Sequence, residues 1–235
     1  MVKVFILVEG QTEEKFVKQL LGPHLQLYGI LLVVILLTTK RVKNGENFKG
    51  GIISYAKIKR NLSQLFHDSS AVAVTTLFDY YGLPNDFPGL KSLPKLDCYQ
   101  QVEHVEAAFK VDINDSRLIP YLQIHEFEGL LFSSPATIAT PFEEEKTGKY
   151  RQLVKALQNI RQDFRTPEEI NNSPETCPHR RLKQLIPSYR KVFHGVMIAS
   201  KIGLEKIREE CPHFDNWVTQ LESLGELYRF HAQRR

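Results

Sequence analysis

Val4-Phe5-Ile6-Leu7-Val8-Glu9-Gly10-Gln11-Thr12-Glu13-Glu14 is the stretch from which the fold is read. Five apolar residues, two of them β-branched valines and one isoleucine, form a run with no polar alternation, the pattern of a strand buried on both faces. The run ends in an acid, a glycine and a helix start, so the strand delivers Glu9 to the edge of a sheet. Thr12 suits an N-cap, and Glu13 and Glu14 in a first helical turn complement the macrodipole with no chemistry involved. Glu9 is different, because a carboxylate directly after buried strand residues is costly to desolvate unless something pairs with it. In α/β sheets that position is where binding sites form.

The rest of the 235 residues places this strand in context. A hydrophobic share of 42% and a charged share of 25% describe an ordinary globular chain, long enough for one large domain or a domain with an appendage. The longest apolar run, Ile30 to Leu37, is far short of the ~20 residues of a membrane helix and reads as a second buried strand. Lys3 leads into a strand rather than a cleavage site, so no signal peptide is expected. Three cysteines without close pairing fit a reducing, cytoplasmic setting. The formal charge of +4 is mild, with basic clusters at Lys40-Arg41-Val42-Lys43, Lys57-Ile58-Lys59-Arg60 and His179-Arg180-Arg181-Leu182-Lys183. These suit a phosphate-bearing partner and equally suit solvated faces.

Helical spacing from Glu13 to Leu21 closes at Gly22-Pro23, a helix stop. After the second strand a further helix is expected, with Ile52, Tyr55, Ile58, Leu62 and Leu65 on one face. Ala71 to Phe78 is a third strand ending at Asp79, and a helix around Gln100 to Phe109 leads to a fourth, Leu118 to Ile124. That strand runs into His125-Glu126-Phe127-Glu128-Gly129. Alternating strands and helices imply crossover connections and a mainly parallel sheet over residues 1–135. From about Thr137 the character turns helical, and 136–235 is expected to be a helical part packed on the α/β core. Helices are expected near 180–186, 198–210 and 214–224, and Thr166-Pro167-Glu168-Glu169 reads as a helix start.

Carboxylates thus recur after strands one, three and four: Glu9, Asp79, and Glu126 or Glu128. In a parallel sheet these ends lie along one edge, where the acids converge and a hard divalent ion, Mg²⁺ or Mn²⁺, stabilises them. The candidate metal ligands are Glu9, Glu13, Asp79, Glu126 and Glu128, with Glu9, Asp79, Glu126 and Glu128 also the candidate catalytic residues. His125 is a candidate base or substrate ligand, or a structural hydrogen-bonder. His179, Arg180, Lys191 and His194 are candidate phosphate ligands if the helical part folds over the sheet edge. Tyr80-Tyr81 is read as a stacking pair or as wall packing. Cys177-Pro178-His179 and Cys211-Pro212-His213 hold four zinc-type ligands, although their one-residue gap is not the usual zinc spacing, and burial is the plainer reading. No P-loop, dinucleotide fingerprint or nucleophile elbow is present, which argues against Walker-type hydrolysis, hydride transfer and α/β-hydrolase chemistry.

Val8-Glu9-Gly10-x-Thr12-Glu13, Phe78-Asp79-Tyr80-Tyr81-Gly82 with Pro84, His125-Glu126-Phe127-Glu128-Gly129-Leu130-Leu131-Phe132 and Cys211-Pro212-His213-Phe214 with Trp217 together resemble the bacterial family known as domain of unknown function 4276. The resemblance implies a TOPRIM-like fold, the module of topoisomerases, primases and nucleases of the overcoming-lysogenization-defect type. It also implies a Mg²⁺-dependent phosphodiester-cleaving enzyme acting on nucleic acid or another phosphate ester, with an ATPase partner in a bacterial defence setting. In that wider group an acid before glycine and a later Asp-x-Asp hold the metal. Glu9 and Asp79 match, but Tyr81 stands where the second Asp would be, so the family's full two-metal arrangement requires Glu126 or Glu128 to supply the missing oxygen. The alternative is a non-catalytic module that binds nucleic acid or a protein through a degenerate site.

Overall fold

The first strand, β1 (Val2–Val8), alternates between two cores: Val4, Ile6 and Val8 join one apolar cluster, Phe5 and Leu7 the other. A strand buried on both faces needs helices above and below it. The computed structural model, which describes residues 1–37, 54–145, 148–171 and 174–232, shows both layers. The basic cluster at Lys40 to Lys43 and Ile52 lie outside the described residues.

From β1 the chain passes through α1 (Gln11–Phe16), a π-helical turn (Val17–Leu21) and α2 (Gly22–Leu27) into β2 (Ile30–Leu36). The expected stop at Gly22-Pro23 is not one. The π turn bonds the Gly22 N–H to the Val17 carbonyl, and the wider turn absorbs a proline that has no N–H to give. β2 runs parallel to β1 with Val2 opposite Ile30 and Val8 opposite Leu36. It lies at the end of the strand order, and Leu31 is half exposed, so its unbroken apolar run does not mark burial on all sides.

α3 (Tyr55–Phe66) follows, then β3 (Ala71–Asp79) on the other side of β1 and α4 (Cys98–Ile113). Ile58 and Leu62 of α3 and Val102, Val105 and Phe109 of α4 cover one face of the sheet. The expected fourth strand is split into β4 (Leu118–Ile119) and β5 (Leu122–Gln123), both parallel to β3. Pro120 cannot donate to the ladder. The Thr76 hydroxyl fills the gap, accepting from Tyr121 N and donating to Tyr121 O, both at 3.0 Å. The order is β2-β1-β3-β4, so this is an α/β protein with a parallel central sheet.

Beyond Gln123 the described residues hold no further strand. Their helices are α5 (Glu128–Leu131), α6 (Pro135–Ala139), α7 (Lys149–Gln162), α8 (Pro178–Leu185), α9 (Val196–Ile202), α10 (Leu204–Glu210) and α11 (Pro212–Ala232). They share one apolar cluster with Val4, Ile6 and Val8, and Phe16 meets Phe127 and Phe214 edge-on. Trp217 stacks on Tyr121 with ring centroids 4.1 Å apart and donates to the Thr75 hydroxyl at 2.8 Å.

The two Cys-Pro-His units open α8 and α11, with proline where its missing N–H costs nothing. Each histidine binds a different carboxylate, His179 with Glu128 and His213 with Glu106, so the four ligands do not meet in one zinc site. Thr166-Pro167-Glu168-Glu169 makes only a 3₁₀ turn, Pro167–Glu169, rather than a helix start. Glu168 is turned inward, where its two oxygens accept the free N–H groups of His213 and Phe214 at 3.0 Å each.

Candidate active site

β2 and β3 lie on opposite sides of β1, so the chain leaves the sheet in opposite directions at the C-terminal ends of β1 and β3. This is the switch point at which α/β sheets form a crevice. Val8 is level with Leu77, so Glu9 emerges beside the Phe78–Asp79 end of β3. Glu13 reaches the crevice from the first turn of α1 and Glu128 from the first residue of α5. Lys191 enters from across the crevice, on a π-helical turn (Lys191–Gly195) that precedes α9.

The Lys191 ammonium sits among three of these acids. Its Nζ lies 2.7 Å from Asp79 Oδ2, 3.4 Å from Glu128 Oε2 and 3.6 Å from Glu13 Oε1. The remaining oxygens are fixed from behind. Phe127 N donates to Asp79 Oδ1 at 2.7 Å, and Glu128 Oε1 lies 2.8 Å from His179 Nδ1 and 3.5 Å from the Tyr189 hydroxyl, which donates to it. Glu9 Oε2 is buried with no hydrogen-bond partner, and Glu128 Oε2 has only its ion pair with Lys191.

Burial dominates the electrostatics. It pushes Glu9 up to about 8, with the Asp79 and Glu13 charges adding to the effect, and Glu13 up to about 7 against the pull of Lys191. Burial also raises Asp79, again against Lys191. Glu128 goes the other way: burial would raise it, but Lys191 and His179 together hold it below its ordinary value. Lys191 is held well above the usual lysine range because Asp79, Glu128 and Glu13 outweigh its desolvation.

A pH dependence follows from these shifts. A carboxyl whose folded-state pKa is raised binds more protons folded than unfolded, so its stabilising contribution is complete below the unfolded value and is lost as pH rises through the folded one. Melting temperature should therefore fall between about pH 4.5 and about pH 8 through Glu9 and Glu13. In Glu9→Gln the slope over that window should flatten, and thermal melts from pH 5 to 9 measure it. Equal slopes in the two proteins would mean that Glu9 titrates normally.

The donor set suits a hard cation. Glu9, Glu13, Asp79 and Glu128 offer only oxygens, the ligands of Mg²⁺ and Mn²⁺, and the two buried acceptors without hydrogen bonds are the kind of atom a cation satisfies. Among the described residues no three Asp, Glu, His or Cys side chains are gathered closely enough to chelate a metal as they stand. The point on which Asp79, Glu128 and Glu13 converge holds the lysine instead.

The other sequence-predicted residues divide around this cluster. Glu126 borders it, with its Oε2 accepting from His179 N at 3.0 Å and thereby capping α8. Of the two acids it is Glu128 that meets Asp79 around Lys191. His125 is buried at φ +60°, a backbone uncommon for a non-glycine residue, and its Nδ1 has no partner. Burial depresses it to about 4, so it is a neutral imidazole near pH 7. Its ring faces Tyr81, 5.1 Å away, and Tyr81 is itself 42% exposed. Arg180 is exposed on α8. His194 is enclosed by Phe142, Tyr189 and Phe193, with Nδ1 accepting from Arg190 N.

Sequence reasoning assigns no role to three contributors, although Phe127 and Gly82 fall within its motifs: the Phe127 N–H, the Tyr189 hydroxyl and the space at Gly82. A Cβ on Gly82 would meet Glu9 Oε2 at 2.9 Å. Gly82→Ala should push the Glu9 carboxylate out of place and flatten the fall of melting temperature between about pH 4.5 and about pH 8, while chemical denaturation near pH 5 shows little change. A pH slope equal to that of wild type would show that Glu9 does not need its position.

A parallel sheet with clustered acids at its switch point makes this an α/β protein with a buried acid and lysine cluster at the crevice. The chain belongs to the family described as Domain of unknown function (DUF4276), whose model matches residues 8–222. No curated protein matches the chain. Solved structures similar to it include the C-terminal region of the Xanthomonas campestris pv. campestris OLD protein, 16% identical with a TM-score of 0.45, covering 98% of this chain and 97% of that one. Another is the C-terminal region of the Burkholderia pseudomallei OLD protein, also 16% identical with a TM-score of 0.45, covering 96% and 99%. No helix among the described residues is long and apolar enough to cross a membrane.

Proposed function

We propose that this protein is a Mg²⁺- or Mn²⁺-dependent phosphodiester-cleaving enzyme of TOPRIM type, a nuclease. The observation that carries the reading is the convergence of Asp79, Glu128 and Glu13 within 3.6 Å of one cationic atom at the sheet's switch point, with Glu9 alongside. Glu9, Asp79, Glu128 and Glu13 would hold the ion, and Glu128 takes the place left by Tyr81. When bound, a divalent ion lowers the pKa of water and offsets charge on phosphate oxygens. Phe127 N and His179 fix the outer oxygens of Asp79 and Glu128, which keeps the carboxylates oriented. His179 and Arg180 at the start of α8 would bind and orient a substrate phosphate. An ATPase partner in bacterial defence belongs to the same proposal through the family resemblance.

A second reading, a binding module on a degenerate site, is favoured by Tyr81 and by the way Lys191 already neutralises part of the acid cluster. The test is cleavage of single- and double-stranded DNA and RNA with Mg²⁺ or Mn²⁺, together with melting curves of wild type and Glu9→Gln. Metal-dependent cleavage plus a metal-induced melting shift that Glu9→Gln loses supports the nuclease. Nucleic-acid binding with neither effect supports the module.

A further inference from the structure

We propose that Lys191 is a resident counter-ion that competes with the divalent cation for the same carboxylate oxygens, so that loading the site requires the lysine to leave. The inference rests on the metal reading above and deepens it with a built-in control on occupancy. Its basis is an asymmetry in exposure. The side chains of Glu13, Asp79 and Glu128 are 5%, 10% and 0% exposed, held by α1, β3 and α5, whereas that of Lys191 is 28% exposed. The acids are the fixed wall and the lysine is the plug, entering from the open side by a flexible four-carbon stem.

The distances make the two occupants exclusive. Carboxylate oxygens at 2.7, 3.4 and 3.6 Å from Nζ surround one point, and a divalent ion held by Asp79, Glu128 and Glu13 would draw on those same oxygens. An ammonium and a divalent ion in the same space would also repel strongly. The turn that carries the lysine is anchored against the same residues that hold the acids, since the Tyr189 hydroxyl bonds Glu128 and Phe127 N bonds Asp79. Gly195 packs so tightly that a Cβ there would stand 3.0 Å from the Tyr189 hydroxyl and 3.4 Å from the Phe127 ring. The lysine's return position is thus set by the fold. A pocket filled by its own lysine more than nine-tenths of the time binds an external ion at least about tenfold more weakly than an open one.

The experiment is an Mn²⁺ titration followed by thermal shift and by calorimetry, on wild type, Lys191→Met and Lys191→Gln. Glutamine keeps a polar head for the carboxylates should the methionine variant not fold. The expected result is a lower melting temperature than wild type without metal, and an Mn²⁺ midpoint at least about tenfold lower in whichever variants fold. A midpoint unchanged or raised in the folded variants, with wild type responding to Mn²⁺, overturns the competition and leaves the metal site standing. Absence of any Mn²⁺ response in wild type and variants alike defeats the metal reading, and the competition with it.

Discussion

Under the proposed nuclease function, Asp79→Asn is expected to lower divalent-dependent phosphodiester cleavage by about 10²–10³-fold, the usual cost of deleting one preorganised electrostatic group. Asp79 is the acid closest to the cation point, 2.7 Å from Lys191 Nζ, and it ends the strand that forms one side of the switch point. Asparagine keeps the oxygen that accepts from Phe127 N, so the bend between β5 and α5 retains its anchor. Lys191 keeps Glu128 and Glu13 as partners, and one source of repulsion among buried carboxylates disappears. The loss should therefore be confined to function. Initial rates with Mn²⁺ and a denaturation curve of the same preparation separate the two, and unchanged rates would exclude Asp79 from the chemistry.

Trp217→Ala should destabilise the protein by about 3–5 kcal/mol, the range for emptying a buried tryptophan site. Trp217 is fully packed in the core, stacked on Tyr121 with an interplanar angle of 12° and met edge-on by Phe214. Its indole N–H donates to Thr75, whose hydroxyl in turn donates to the Ile119 carbonyl. Removal thus empties the contact between α11 and the sheet and takes a link out of the chain that bridges β3 to β4. Trp217→Phe should keep the stack, lose the hydrogen bond and cost about 0.5–1.5 kcal/mol. Urea unfolding of both variants measures the difference, and an alanine variant within about 0.5 kcal/mol of wild type would show that α11 is not needed to hold the sheet.

Much of this arrangement was legible in the sequence because parallel strands announce themselves. The apolar runs at Val4 to Val8 and Ala71 to Phe78 each ended in a carboxylate, and adjacent pairing of β1 with β3 brings those ends together. What could not be read was decided by single backbone events. Glu126 and Glu128 are equivalent two residues apart, and the left-handed turn at His125 precedes a path that gives one to the α8 cap and the other to the acid cluster. Pro120 split a strand that the pattern made continuous, and a π turn carried a helix through Gly22-Pro23. Lys191 is expected to face the acids if the helical part covers the sheet edge, as it does, but its direct pairing with Asp79, 112 residues away, has no local pattern behind it.

The bond between Trp217 and Thr75 spans 142 residues of chain, and it has a consequence for biosynthesis. A nascent chain can assemble the β1–β3 pairing early, since those strands lie within its first 79 residues. The Tyr121 ring and the Thr75 hydroxyl nevertheless wait without their partner until α11 has been translated. Closing such distant contacts is entropically slow, and apolar surface left uncovered meanwhile is prone to association. Folding of this protein should accordingly be late and all at once on the face covered by α11, and ribosome-bound chains halted before Pro212 should be far more sensitive to protease than the released protein.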